Sequence, residues 1–94
     1  MSTKELECFG GPNDGKFIPV DDGEAVKDMC LMRLIDNAPH FYVTVERDDG
    51  TLVFEYAGPS PYDVVDKLRV NGCADAEEIS ARLDEQFGGR ENFN

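Results

Sequence analysis

The chain has no tryptophan, one histidine and three cysteines, and its 9 basic residues are outnumbered by 20 acidic ones. Each shortage removes a class of function. With His40 as the sole imidazole and no C-x-x-C spacing, a closed zinc site of Cys and His ligands has too few donors. Cys8, Cys30 and Cys73 are odd in number and widely spaced, which makes no disulfide framework. Cys8 and Cys30 read instead as small apolar fillers in strands. A formal net charge of −11 repels phosphate backbones and anionic lipid, so direct nucleic-acid and membrane binding are disfavoured. No apolar run approaches the roughly 20 residues of a spanning helix. The opening Met1-Ser2-Thr3-Lys4-Glu5 lacks the layout of a signal peptide, so a cytoplasmic location is expected. Neither cofactor nor metal is expected.

What is present suffices for one core. Ninety-four residues, 40% of them hydrophobic, predict a single domain over 1–94, with a β-rich part at 1–57, a helical part at 58–89 and a loose tail at 90–94. Leu6–Phe9 alternates and leads into Gly10-Gly11-Pro12-Asn13-Asp14-Gly15, a loop by composition. Lys16–Val20 resumes an extended pattern, and Pro19 places that strand at a sheet edge or ends its pairing there; at an edge it works against sheet-to-sheet dimerisation. Cys30–Ile35 is a further strand. Phe41–Arg47 and Leu52–Tyr56 alternate strictly around Asp48-Asp49-Gly50-Thr51, where Asp49-Gly50 suits a two-residue type I′ turn. That turn sets Val45 opposite Phe54 and Val43 opposite Tyr56, and it implies a sheet with one buried face.

After Gly58 the period changes from two to 3.6. Ser60, Pro61 and Asp63 make a capping box, Val64, Val65 and Leu68 an apolar side, and Asn71-Gly72 a stop. Asp75 with Glu78 repeats the capping signature, Ile79, Leu83 and Phe87 form one stripe, and Gly88-Gly89 ends the helix. The expected fold is α+β: a small, mostly antiparallel sheet of four to five strands with two C-terminal helices packed on one face. Its core is expected to hold Phe9, Ile18, Leu31, Leu34, Phe41, Val43, Val45, Phe54, Tyr56, Val65, Leu68, Ile79 and Leu83.

The candidate chemical features mostly have plainer explanations. Asn13-Asp14-Gly15, Asp21-Asp22-Gly23 and Asp48-Asp49-Gly50 lack the ligand spacing of a calcium loop and suit tight turns. The loop at 10–15 is no phosphate cradle, since Pro12 removes a donor, Asp14 repels anions and a strand follows. Cys73 precedes a helix start that would favour a thiolate, but Asp75, Glu77 and Glu78 oppose ionisation and no second thiol is near in sequence. His40 has no distinctive partner among so many carboxylates. These two residues are the only anchors for a catalytic reading, which ranks third. The helical pair carries Asp75, Glu77, Glu78, Asp84 and Glu85 on its second member, against Arg82, the reverse of a DNA-reading helix.

The stretch Leu6-Glu7-Cys8-Phe9-Gly10-Gly11-Pro12-Asn13-Asp14-Gly15, with Lys16-Phe17-Ile18-Pro19-Val20 behind it, resembles the opening of short uncharacterised phage, prophage and bacterial proteins. Those proteins begin with a G-G-P-x-D-G turn followed by an extended strand, and the hairpin from Phe41 to Tyr56 is loosely similar to one that many of them carry. The resemblance implies a phage or accessory-gene origin and assigns no site.

The leading expectation is a non-enzymatic protein-interaction module, monomeric or weakly dimeric, with a protein partner. The alternative is an acidic inhibitor that occupies a nucleic-acid-binding enzyme, with Asp75, Glu77, Glu78, Asp84 and Glu85 as its partner-binding residues. The charge is spread evenly, however. Residues 1–40 hold 8 acidic and 4 basic groups, 41–57 hold 4 and 1, and 58–94 hold 8 and 4.

Overall fold

The computed structural model describes residues 2–89, so the tail expected at 90–94 lies outside the described residues. Along the chain come β1 (Thr3–Phe9), β2 (Phe17–Asp21), β3 (Cys30–Ile35), β4 (Ala38–Glu46), β5 (Leu52–Gly58), α1 (Pro61–Val70) and α2 (Ala76–Phe87). The result is α+β, with one five-stranded sheet in the order β2-β1-β5-β4-β3. Neighbours pair antiparallel except β1 and β5, which run parallel through Cys8↔Phe54 and Phe9↔Glu55. A parallel pair cannot be closed by a tight turn, and here the whole stretch from β2 to β4 makes the crossover.

The β4–β5 hairpin forms, but one residue out of the expected register. Val45 faces Val53, Thr44 faces Phe54 and Tyr42 faces Tyr56. Turn chemistry is the cause. A type I′ turn needs positive φ at both central residues, and only Gly50 (φ 84°) has it in this loop. Gly50 N–H donates to Arg47 C=O (2.8 Å) and Arg47 N–H to Thr51 C=O (2.8 Å), which leaves three residues in the loop instead of two. Asp49 takes a different role: its carboxylate accepts the Thr51 N–H at 2.9 Å. That backbone hydrogen bond holds its pKa below the ordinary 3.8. A one-residue slip sends side chains to the opposite face, so Leu52, Phe54 and Tyr56 join Tyr42 and Thr44 rather than Val43 and Val45.

The slip changes the layering. Tyr42 and Val43 are adjacent in β4, point to opposite faces and are both 0% exposed, so this strand is buried on both sides. The expectation of a single buried face is therefore corrected. On one side Leu6, Cys8, Ile18, Tyr42, Leu52 and Phe54 pack together, with Ala25, Met29 and Leu31 against them. Thr44 draws the β2–β3 connection over this side. Its hydroxyl donates to Val26 C=O (2.6 Å) and accepts from Met29 N–H (2.7 Å), while Asp28 N–H donates to its carbonyl (3.0 Å). The opposite side holds Val43, Val64, Leu68 and Ala76, joined by Phe41, Ala57, Cys73 and Ile79. Of the expected core, Ile18, Val43, Phe54, Val65 and Leu68 are buried. Leu31, Phe41, Val45, Tyr56, Ile79 and Leu83 are half-buried. Phe9 and Leu34 are exposed, as is Cys30. Phe9 sits at the end of β1 beneath the Arg47 guanidinium, 4.7 Å from its ring centre. Cys30 and Leu34 belong to an outer strand.

The helices follow their caps. Ser60 Oγ accepts the Tyr62 N–H (3.1 Å) and Asp63 Oδ2 accepts the Ser60 N–H (3.1 Å), the reciprocal bonds the sequence predicts. Helix α1 then lies across β4 and β5. Asp75 stands at the N-cap of α2 but makes no side-chain capping bond, so the second box does not form. Glu78 pairs with Arg82 at 2.8 Å instead. Helix α2 packs chiefly on α1, with Tyr62 Oη donating to Asp84 Oδ1 at 2.8 Å.

Candidate functional site

Strand directions bring the 10–16 loop, the Asp36–Asn37 turn and the entry to α1 to one end of the sheet. The loop is held by its own groups and by one buried phenol. Gly10 N–H donates to Asp14 Oδ1 (2.7 Å), Gly15 N–H to Cys8 C=O (2.8 Å) and Lys16 N–H to Asn13 C=O (2.9 Å). Tyr42 Oη accepts the Asn13 N–H and donates to Gly10 C=O, both at 2.9 Å. These N–H groups are taken up by Asp14, by carbonyls of Cys8 and Asn13, and by the Tyr42 hydroxyl. Gly11 has φ +66°, and a Cβ there would stand 2.5 Å from Tyr56 Cδ1 and 2.7 Å from Tyr42 Oη. The loop touches both rings, and only glycine fits.

From Tyr42 the polar chain continues across the sheet. The Tyr42 and Tyr56 rings lie 5.2 Å apart at 59°. Tyr56 Oη and His40 Nδ1 share a hydrogen bond of 3.0 Å, and His40 stands directly opposite Arg33 on β3. Burial raises the Tyr42 phenol above its ordinary 10.0, although the Asn13 N–H pulls the other way. Burial likewise raises the Cys8 thiol above 9.0, against the opposing field of Arg33. Desolvation by the packed chain also raises Cys30, despite its exposed outer side. Cys8 and Cys30 are therefore protonated at neutral pH and poor nucleophiles.

Beside this chain lies a cleft of about 270 Å³, lined by Asn13, Lys16, Phe17 and Ile18 on one wall and Arg33, Leu34 and Ile35 on the other. One wall is the 10–16 loop with the start of β2 and the other is the end of β3, so the sheet curls until its two outer strands border one space. The charge here is opposite to that of the molecule. Ion pairs among the described residues engage Lys4, Arg47, Lys67, Arg69 and Arg82, and neither Lys16 nor Arg33 takes part in them. No carboxylate of the described residues lines the cleft. Asp14 is turned back onto Gly10, and Asp36 follows Ile35 in the adjoining turn. A second cleft, of about 300 Å³, mixes Lys27 with Asp28 and Glu46, so it has no single electrostatic character.

Residues singled out in the sequence sit elsewhere. His40 and Cys73 line neither cleft, and Cys73 packs beside Val43, Val64, Leu68 and Ala76. Among the acidic residues of α2, Glu77 pairs with Arg69 (2.6 Å), Glu78 with Arg82 (2.8 Å) and Asp84 with Tyr62 (2.8 Å). Lys16 and Arg33, the two cations of the cleft, are singled out by no sequence feature. Lys16 ends the 10–16 loop and Arg33 lies in β3, and only the curl of the sheet brings them to one space. Among the described residues no group of three His, Cys, Asp or Glu is placed to hold a metal ion. No helix there is long and apolar enough to cross a membrane. No protein-family model, curated protein or solved structure matches the chain.

Proposed function

We propose that this protein is a non-enzymatic interaction module that takes an extended segment of a partner protein as an added strand on the free edge of β3. The observation that carries the reading is the character of that edge. An outer strand presents unpaired backbone N–H and C=O groups, and proteins ordinarily guard it with proline, bulges or charge. Strand β3 has six residues, one charge and no proline. On the side it shares with Val43 and the helices, Met32 is 50% and Leu34 67% exposed, and Cys30 is exposed as well. The helices reach β4 and β5 and leave this strip uncovered. The other outer strand, β2, is shorter and carries Pro19, which lacks a donor. Added strands gain affinity from main-chain hydrogen bonds and selectivity from alternate side chains. Two copies of the chain, each at −11, repel one another, which keeps the edge open for a different protein. An accessory role in a phage or its host belongs to the same reading.

The test is an NMR titration of 15N-labelled protein with an uncharged peptide of alternating valine and threonine. The expected result is shifts through Cys30–Ile35 that saturate by about 1 mM peptide, a weak main-chain affinity, with the amides of α2 unmoved. Silence along β3 at that concentration, or shifts confined to the helices, would overturn the proposal.

The acidic-inhibitor reading rests on the net charge. Three of its five carboxylates are held by Arg69, Arg82 and Tyr62 of the same chain, which leaves Asp75 and Glu85 as weaker support. It requires capture of a basic nucleic-acid enzyme that weakens steeply with salt.

A further inference from the structure

We infer that the segment received on β3 is an acidic one, with a carboxylate side chain seated between Lys16 and Arg33. This rests on the strand-addition reading and names the chemistry of the partner. A strand laid along the free edge of β3 enters the space between β3 and β2, and near Ile35 that space is the cleft of about 270 Å³. Side chains directly opposite one another in paired strands point to the same face. The residue facing Arg33 therefore points to the side occupied by His40, Tyr42 and Cys8, where Lys16 forms the other wall. Its two neighbours point the other way, over Met32 and Leu34, and should be apolar.

Charge complementarity supplies the specificity. The protein carries 20 carboxylates, yet neither Lys16 nor Arg33 makes an ion pair among the described residues, and no carboxylate lines the cleft between them. An incoming carboxylate meets two cations, Asn13 and the apolar residues Phe17, Ile18 and Ile35. Arginine offers a planar fork of donors matched to a carboxylate. A lysine on the partner strand at the same place would meet repulsion from both cations.

The experiment uses three terminally blocked peptides of alternating valine and threonine that differ at one central position, Glu, Gln or Lys. Each is titrated into 15N-labelled protein at physiological ionic strength, against wild type, Arg33→Gln and Lys16→Gln. The Glu peptide should bind about tenfold more tightly than the Gln peptide, as expected for a charge-assisted contact. It should shift Asn13–Ile18 as well as Cys30–Ile35 and lose that advantage in either variant. The Lys peptide should bind most weakly. If Glu and Gln peptides bind alike with shifts along β3, strand addition survives and the acidic specificity is overturned. If none of the peptides shifts β3, both fall. If acetate alone displaces the Glu peptide at equal concentration, the cleft is a small-anion site and the peptide assignment is overturned. If Arg33→Gln tightens the Gln peptide and leaves the Glu peptide unchanged, Arg33 is an edge guard and the inference fails.

Discussion

Removing one oxygen from Tyr42 tests how the candidate site is built. In Tyr42→Phe the ring remains, with its 5.2 Å approach to Tyr56, while the hydroxyl that bonds Asn13 N–H and Gly10 C=O is lost. A typical intramolecular hydrogen bond contributes about 0.5–1.5 kcal/mol net, so two contribute about 1–3 kcal/mol. Asn13 is half-buried and Gly10 exposed, so water can reach the freed groups and the loss belongs in the lower part of that range. For a domain of this size each kcal/mol lowers Tm by roughly 4–8 °C, giving a fall of roughly 5–15 °C. Urea denaturation should show a lower midpoint at unchanged slope, and amide exchange at Asn13 should accelerate. A stability loss under about 0.3 kcal/mol, within the noise of a surface change, would refute the reasoning. So would undiminished protection of Asn13, since the phenol would then not be what pins the loop.

Gly11→Ala should be among the more damaging single changes, by about 2–4 kcal/mol, because it combines positive φ with a clash against two packed rings. A urea midpoint equal to wild type would contradict the described loop. Ser60→Ala should cost about 1 kcal/mol in chemical denaturation, whereas Asp75→Ala should be nearly silent, because only the first helix has its side-chain cap. Stability should also fall at alkaline pH. Burial raises the Cys8 thiol above 9.0 and the Tyr42 phenol above 10.0, so the folded protein keeps protons that the unfolded chain releases. The stabilisation is complete below those ordinary values and is lost as pH rises through the folded ones. A pH series of denaturation curves should show that decline, and Tyr42→Phe should flatten the part above pH 10.0.

Elements governed by local chemistry were legible in the sequence. Ser60, Pro61 and Asp63 announce α1 because the capping bonds lie within three residues of one another. Alternation from Phe41 and from Leu52 announces β4 and β5 because period two has no helical counterpart. The hairpin register was not legible, since it depends on whether Asp49 adopts positive φ or turns its carboxylate to the Thr51 N–H. The second structure wins, and one residue of difference relocates Phe54 and Tyr56 to the other face. Alternation reports that a strand separates two environments and does not report that both are dry. Tyr42 and its neighbour Val43 lie on opposite sides of β4, and both are 0% exposed.

The cleft was invisible for a further reason, which concerns how charge is counted. A net charge of −11 is a sum over the whole chain, and it governs long-range attraction and repulsion. At physiological salt the screening length is about 8 Å, so a ligand already at the surface responds to the few charges within reach. Cross-strand pairing sets Arg33 opposite His40, and the curl of the sheet sets Lys16 across the same space, while Asp14, the nearest acid in the loop, is turned onto Gly10. A chain of net negative charge can therefore still hold a local pair of cations with no carboxylate of the described residues between them. The approach of Lys16 to Arg33 depends on non-local pairing, which composition cannot encode. For that reason the net acidity was the salient feature of the sequence, and the two cations of the cleft became visible only in the fold.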